Sequence, residues 1–450
     1  MNRLFDHWDC REGEGPIWEI RCSDPAVPTG RTLRLPDVFL GTPERDWLTE
    51  RSLPRRPLPI TTPSRLGLDP VLTSPEIPVI FGDGGIRDDR SGPADLGIDI
   101  FGSAFFMLSR YEELVVLERD SHDRFPSSGS IARACGFLGR PIIDEYVEIL
   151  WSAMARLWPN LRRNLPRFQV KPSHDVDEPS RDAFRGLKSV LKESAGDVLK
   201  RRNFRRACQG PWHWLHGQWA LHPKDPYNTF GRLMDISEAI GTKSTFYFMT
   251  GCTNQAYDRG YSITHPAIRR LLRQIHERGH EIGLHPSYET YCSPNLLQQE
   301  ADRLRKALRI VGVRQERLGA RMHYLRWRCP ETWRAMESAG MDHDATLGFA
   351  DSVGFRCGTC HEYTAFDVRA ERAIDLRIRP LIAMDVSVLD EQYMGLGISS
   401  GAQAVLGELR RCCERVQGGF SVLWHNNEFQ RNGAWDLYCG IVRSGKLGVW

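Results

Sequence analysis

From about residue 165 to about residue 430, short apolar runs alternate with stretches of helical periodicity, and this alternation narrows the possible folds more than any other feature. The runs Thr245 to Met249, Ile282 to Leu284 and Phe420 to Trp424 have strand length. Between them, Pro266 to Arg278 sets Ile268, Leu271, Leu272 and Ile275 on one helix face. Ser293-Pro294 then opens a longer helix with Leu297, Ala301, Leu304, Leu308 and Val311 spaced by four and three, and Gly279 and Gly312 stop the two helices. Repeated strand and helix predict an α/β fold with a parallel sheet, in the manner of a barrel, with chemistry at the C-terminal ends of the strands.

Four such ends carry reactive side chains. An extended run from near Phe168 ends in Ser173-His174-Asp175-Val176-Asp177, and two carboxylates two residues apart share a strand face, where their repulsion calls for a cation or a proton. His285 follows the run Ile282 to Leu284; Arg321-Met322-His323-Tyr324 lies further on; His425 follows Trp424. One histidine after a strand is ordinarily a satisfied surface or core group. Three of them, with a double aspartate at a fourth end, form an oxygen and imidazole set that suits zinc or a similar divalent ion with a position left for water.

The chain has 450 residues, too many for one ordinary core, which predicts two domains, 1–160 and 165–450. The first part is rich in Pro and Arg, with Ile77-Pro78-Val79-Ile80-Phe81 as an edge strand ended by Gly82-Asp83-Gly84. Helices follow, one through Phe101, Phe105 and Leu108 toward Arg110-Tyr111-Glu112-Glu113, the other through Ile143, Val147, Leu150, Met154 and Leu157, bracketed by Pro141 and Pro159. The loop Asp120 to Phe125, with His122, and the Arg110 to Glu113 helix are candidate covers for the mouth of the second domain.

With 60 basic and 57 acidic residues, the net charge of +3 gives no general argument for nucleic acid. One run, Lys200 to Arg206, is strongly basic and reads as a solvated helix face, with an anionic substrate or a membrane surface as the other use. No apolar stretch of spanning length occurs and acids such as Asp6, Asp9 and Glu12 come early, so the expectation is a soluble, cytoplasmic protein of unknown oligomeric state. The 12 cysteines, including Cys357-Gly358-Thr359-Cys360, read as buried thiols. The stretch Pro211-Trp212-His213-Trp214-Leu215-His216 offers rings either to sugars or to the packing of an inserted helix.

The block from about 165 to 430 resembles the polysaccharide deacetylase (NodB-homology) family of metal-dependent carbohydrate esterases. Ser173 to Asp177 is similar to its first motif, Gly279 to His285 to its second, Arg321 with Tyr324 to its third, Ala339 to Asp344 to a fourth, and Val422 to His425 to its last. The resemblance implies a distorted (β/α) barrel, preceded here by a smaller α/β domain, that removes acetyl groups from an amino sugar or polysaccharide precursor. It implies a divalent ion, zinc by preference, on Asp177, His285 and a third ligand. Where the family has a second histidine this chain has Glu289, so the third ligand is either His323 or Glu289. It further implies Asp175 as base, Arg321 as its holder, an amide near Tyr324 for the oxyanion, and His425 as acid with Asp344 behind its ring. An amidohydrolase acting on a small non-sugar amide and a non-catalytic carbohydrate-binding protein on a degenerate barrel are the alternatives.

Overall fold

The computed structural model describes residues 8–12, 15–22, 31–63, 68–88, 93–199, 202, 204–258 and 260–443. Asp6 of the acidic start and Lys200, Arg201 and Asn203 of the basic run lie outside the described residues.

Residues before 100 build β1 (Trp8–Glu12), β2 (Ile17–Cys22), β3 (Leu33–Pro36), β4 (Ile60–Thr61), β5 (Ile77–Pro78), β6 (Gly82–Asp88) and β7 (Ala94–Ile98). Five of these form one sheet in the order β1-β2-β3-β7-β6, and β4 and β5 pair separately. The expected strand at Ile77 to Phe81 is thus only two residues long. The glycines thought to end it open a strand instead, because Gly82 at φ 117° turns the chain back to pair antiparallel with Ile98. Asp99 then caps the helix Ile100–Leu108 through the Gly102 amide (2.7 Å) and also accepts from the Val38 and Phe39 amides. The second expected helix spans Ile142–Leu157.

The second region contributes β8 (Gln169–Val176), β9 (Thr245–Phe248), β10 (Glu281–Leu284), β11 (Gly319–Ala320), β12 (His343–Asp344), β13 (Tyr363–Asp367), β14 (Arg372–Ile378), β15 (Ala383–Met384) and β16 (Gly419–Leu423). They make one sheet in the order β13-β14-β12-β11-β10-β9-β8-β16-β15, parallel throughout except for β13 with β14. Among the described residues no pairing joins β13 to β15, so the architecture is mixed α/β with a large parallel sheet. The helices Pro266–Glu277 and Pro294–Ile310 bury the apolar stripes read from the sequence, with Gly279 and Gly312 left-handed at their ends. Parallel pairing places Asp175 and Asp177, His285, Arg321 and His425 along one edge, at or just past the ends of β8, β10, β11 and β16.

The two regions are joined by a buried ionic cluster. Glu113 accepts from Arg110 Nε (2.9 Å) and from Arg356 Nε and Nη2 (2.9 and 2.6 Å), and Arg110 Nη1 donates to the Arg356 carbonyl. All three side chains are almost fully enclosed. The helix expected through Arg110 breaks there, since Arg110 itself is left-handed (φ 56°). This turn faces Arg356, whereas the His122 loop packs against Tyr288, Tyr324 and Arg326.

Beside the cluster, burial pushes the Glu112 carboxyl up to about 7; one oxygen accepts from the Ile131 amide while the other has no partner. A carboxyl that holds its proton more tightly when folded lowers stability as pH rises through the interval between its unfolded and folded values. Wild-type stability at pH 5 is therefore expected to exceed that at pH 8 by roughly 2 to 3 kcal/mol from this group alone. In Glu112→Gln that contribution vanishes. Urea unfolding of both proteins at the two pH values, compared as a difference, checks it; equal pH dependence would rule the assignment out.

Candidate metal centre

Three imidazoles close on Asp177. His285 Nε2 lies 3.1 Å from its Oδ1, and His323 Nε2 and His425 Nε2 each lie 3.8 Å from its Oδ2. Each ring is turned by a hydrogen bond at its other nitrogen. His285 Nδ1 donates to the Arg321 carbonyl (2.6 Å), His323 Nδ1 to Asp258 (2.9 Å) and His425 Nδ1 to Asp385 (2.8 Å). These bonds direct the Nε2 atoms into the site.

Asp175 stands one step further in. Arg321 Nη1 donates to its Oδ1 (3.0 Å), and its Oδ2 lies 3.8 Å from His285 Nε2. Arg321 is itself fixed from every side: Nη2 on Ser173 Oγ, Nε on the Ala345 carbonyl, and the guanidinium carbon 4.6 Å from the centre of the Tyr247 ring. Gly283 makes this possible, because a Cβ there would collide with the Tyr247 ring.

Burial alone would raise the Asp177 carboxyl, but His323, His285 and His425 hold it far below the usual carboxylate range. Burial would lower His285, whereas Asp175 and Asp177 raise it. For His425 burial likewise opposes the charge, and Asp385, with Asp177 and Asp175 behind it, pushes it up to about 10. Asp177 Oδ1 and His285 Nε2 are both buried without a hydrogen-bond partner. With Nδ1 engaged by the Arg321 carbonyl, a neutral His285 turns its Nε2 lone pair on the Asp177 carboxylate, which is costly unless a proton or a cation lies between them. Asp177, His285 and His323 offer one oxygen and two nitrogens within 4.8 Å of one another, a set that fits a divalent ion such as zinc.

Two of the candidate residues lie away from the cluster. Asp344 does not approach His425: its carboxylate accepts from Trp333 Nε1 (3.1 Å) and the Thr346 amide (2.8 Å), a bracing position at the end of β12. The acid behind His425 is Asp385, at the end of β15. Glu289 is turned outward to Arg326 (3.0 Å) and Asn254 (3.3 Å), and takes no part in the cluster. His323 comes into reach because the chain is forced through two consecutive left-handed residues, Tyr324 (φ 60°) and Leu325 (φ 53°). Asp258 and Asp385 escaped the sequence reading. Asp385 follows the apolar residues Leu381 to Met384, a signal of the same kind as the others; Asp258 lies in a loop with no pattern around it.

The first region reaches this site. His122 Nδ1 is 2.8 Å from Tyr288 Oη, Arg124 Nη1 donates to the Tyr324 carbonyl (3.0 Å), and Arg326 Nε donates to the His122 carbonyl (2.8 Å). His122, Tyr257, Tyr288 and Tyr324 form an aromatic wall. A cavity of about 380 Å³ opens beside Asp177, between Phe184 and Arg185 on one side and Gln255 and Tyr261 on the other. A larger one, about 1210 Å³, lies toward the opposite ends of the strands and includes none of the three imidazoles.

Other reactive groupings are engaged. Cys357 and Cys360 are buried free thiols whose pKa burial raises, and Cys360 Sγ donates to Asp144. Asp182 is held by Arg181 and His213, and Asp225 by Ser180 and the amides of Arg181 and Tyr227. Among the described residues no helix is long and apolar enough to cross a membrane.

A family model described as a family of unknown function (DUF7033) matches residues 58–159. No curated protein matches the chain. Similar solved structures include a protein from Mycobacterium smegmatis described as a polysaccharide deacetylase, at 17% identity and a TM-score of 0.38, covering 62% of this chain and 84% of that one. Puue allantoinase follows at 14% identity and a TM-score of 0.35, covering 62% of this chain and 83% of that one. A polysaccharide deacetylase, so described, from Pseudomonas aeruginosa PAO1 gives 16% and 0.35, covering 62% and 84%.

Proposed function

We propose that the chain is a metal-dependent hydrolase that cleaves the N-acetyl amide of an amino sugar or sugar polymer precursor. The observation that carries this reading is the pairing, at one strand edge, of a two-imidazole and one-carboxylate set with a separate carboxylate and a separate imidazole. A site that only binds has no need of the last two. Asp177, His285 and His323 would hold the ion. Bound there, a divalent ion supplies Lewis acidity to a carbonyl oxygen and lowers the pKa of a water.

The chain's own residues do the rest. Asp175, with Oδ1 occupied by Arg321, takes the proton of the attacking water at Oδ2. The water oxygen bonds to the carbonyl carbon, and the backbone at Tyr324 provides a donor for the oxyanion. As the carbon–nitrogen bond breaks, His425 gives its Nε2 proton to the leaving nitrogen, with Asp385 retaining the ring. The products are acetate and a free amine. The aromatic wall from His122 to Tyr324 would offer flat faces to a sugar ring, which supports a share for the first region in substrate fit.

Asp175→Asn is expected to lose about 10² to 10⁴ of kcat while keeping metal affinity. Acetate release from N-acetylated sugars by the zinc-loaded protein checks this, and a variant as active as the wild type would sink the role of Asp175. The cavity beside Asp177 is near the lower end of ligand-site volumes, which favours a small non-sugar amide as the second reading. Parallel assays on acyclic amides separate the two.

A further inference from the structure

Between β8 and β9 the chain leaves the sheet as a helical hairpin, Leu187–Leu199 and Phe204–His216. Its inner side is anchored. Val190, Asp197, Ala207 and Gly210 are buried, His213 bonds Asp182, and Trp214 Nε1 donates to the Arg185 carbonyl. The outer side carries a second apolar stripe at helical spacing. On the first helix Leu187, Leu191, Ala195 and Leu199 are exposed, each four residues from the last. On the second, the residues described as exposed are Phe204, Cys208, Trp212 and Leu215, followed by Trp219 just beyond its end.

The patch is not ordinary surface. Among the described residues, 14 large hydrophobic side chains are exposed, and seven of them fall in this hairpin and its exit turn. Leu199, Phe204 and Trp219 are 80%, 68% and 67% exposed. Scattered apolar residues need no explanation, but a continuous stripe on two adjacent helices marks a docking face.

Charge decides what docks. From 187 to 219 the sequence has seven Lys and Arg against two acids, an excess larger than the net +3 of the whole chain. Asp197 is buried and Glu193 pairs with Arg185, so the outer face presents leucines, aromatics and cations such as Lys188, Lys192 and Arg202. A second copy would bring like charge against like charge. Leucine and tryptophan beside lysine and arginine on an interfacial helix is the composition that seats in the headgroup layer of an anionic bilayer.

We propose that the outer faces of the helices Leu187–Leu199 and Phe204–His216, with Trp219, form a docking surface for an anionic lipid bilayer, holding the protein at a membrane face without crossing it. The proposal is independent of the hydrolase reading, since none of these side chains belongs to the metal centre.

The test is co-flotation of the full-length protein with vesicles of phosphatidylcholine alone or mixed with phosphatidylglycerol. The expected result is recovery with the mixed vesicles only, a blue shift of tryptophan emission on binding, and release at high salt. The double variant Trp212→Ala/Trp219→Ala is expected to lose at least about tenfold in partitioning, with its circular dichroism unchanged because both rings are on the outside. No recovery with anionic vesicles, or equal recovery of the double variant, would overturn the proposal. So would concentration-dependent dimerisation in sedimentation velocity that the double variant abolishes, because the stripe would then be covered by a second copy.

Discussion

His323→Ala is expected to abolish divalent-ion binding, whereas Glu289→Ala leaves it intact. Deleting His323 leaves one nitrogen and one oxygen, below the three protein ligands that catalytic zinc sites keep. It also leaves Asp258 buried and facing no donor ring, since its bond to His323 Nδ1 is the contact that turns the imidazole inward. Asp258→Ala is accordingly expected to weaken binding by about 10- to 100-fold without removing a ligand atom. Glu289 carries no such consequence, because its partners are Arg326 and Asn254 and it is half exposed. Calorimetric zinc titration of the chelator-stripped proteins reads all three outcomes. Retention in His323→Ala with loss in Glu289→Ala would return the third ligand to the second motif.

Glu113→Ala is expected to cost about 3 to 5 kcal/mol of folding stability, the largest single-residue effect outside the site. The loss arises from what stays behind. Arg110 and Arg356 would remain enclosed with no carboxylate between them, and burial of an uncompensated guanidinium is far more expensive than the pair was worth. Denaturant midpoints measure it, with Glu113→Gln expected to fall between the two because its oxygen still accepts one bond. A change below about 1 kcal/mol would mean that the cluster is wet and weak, as exposed ion pairs are.

Part of the second region could be read directly from the amino acids, namely β8, β9, β10, β16 and the helices Pro266–Glu277 and Pro294–Ile310, and physics explains why. β9, β10 and β16 are short runs buried on both faces, and their apolar character is written in consecutive letters. Asp175, Asp177, His285 and His425 follow such runs directly. His323 and Glu289 could not be separated by letters, because the choice rests on the left-handed turn at Tyr324 and Leu325, residues with no intrinsic taste for it. Asp344 was assigned by its neighbourhood in a motif, and the partner of His425 is Asp385, 40 residues upstream and just past β15, which among the described residues pairs with β16 alone. The link from Glu113 to Arg356 spans 243 residues, a distance at which local pattern has no voice.

The turn at Tyr324 and Leu325 also has a cost. Glycine at 324 would adopt φ 60° without strain, yet it would remove the ring that packs against His122, Tyr257, Tyr288 and His323, and the packing lost outweighs the roughly 1 kcal/mol of strain relieved. Relief of backbone strain and retention of ring packing therefore pull on Tyr324 in opposite directions. The stretch from Arg321 to Leu325 is thus an uncomfortable backbone kept in place by the rings around it, and a substitution that eases the backbone there is expected to loosen those rings.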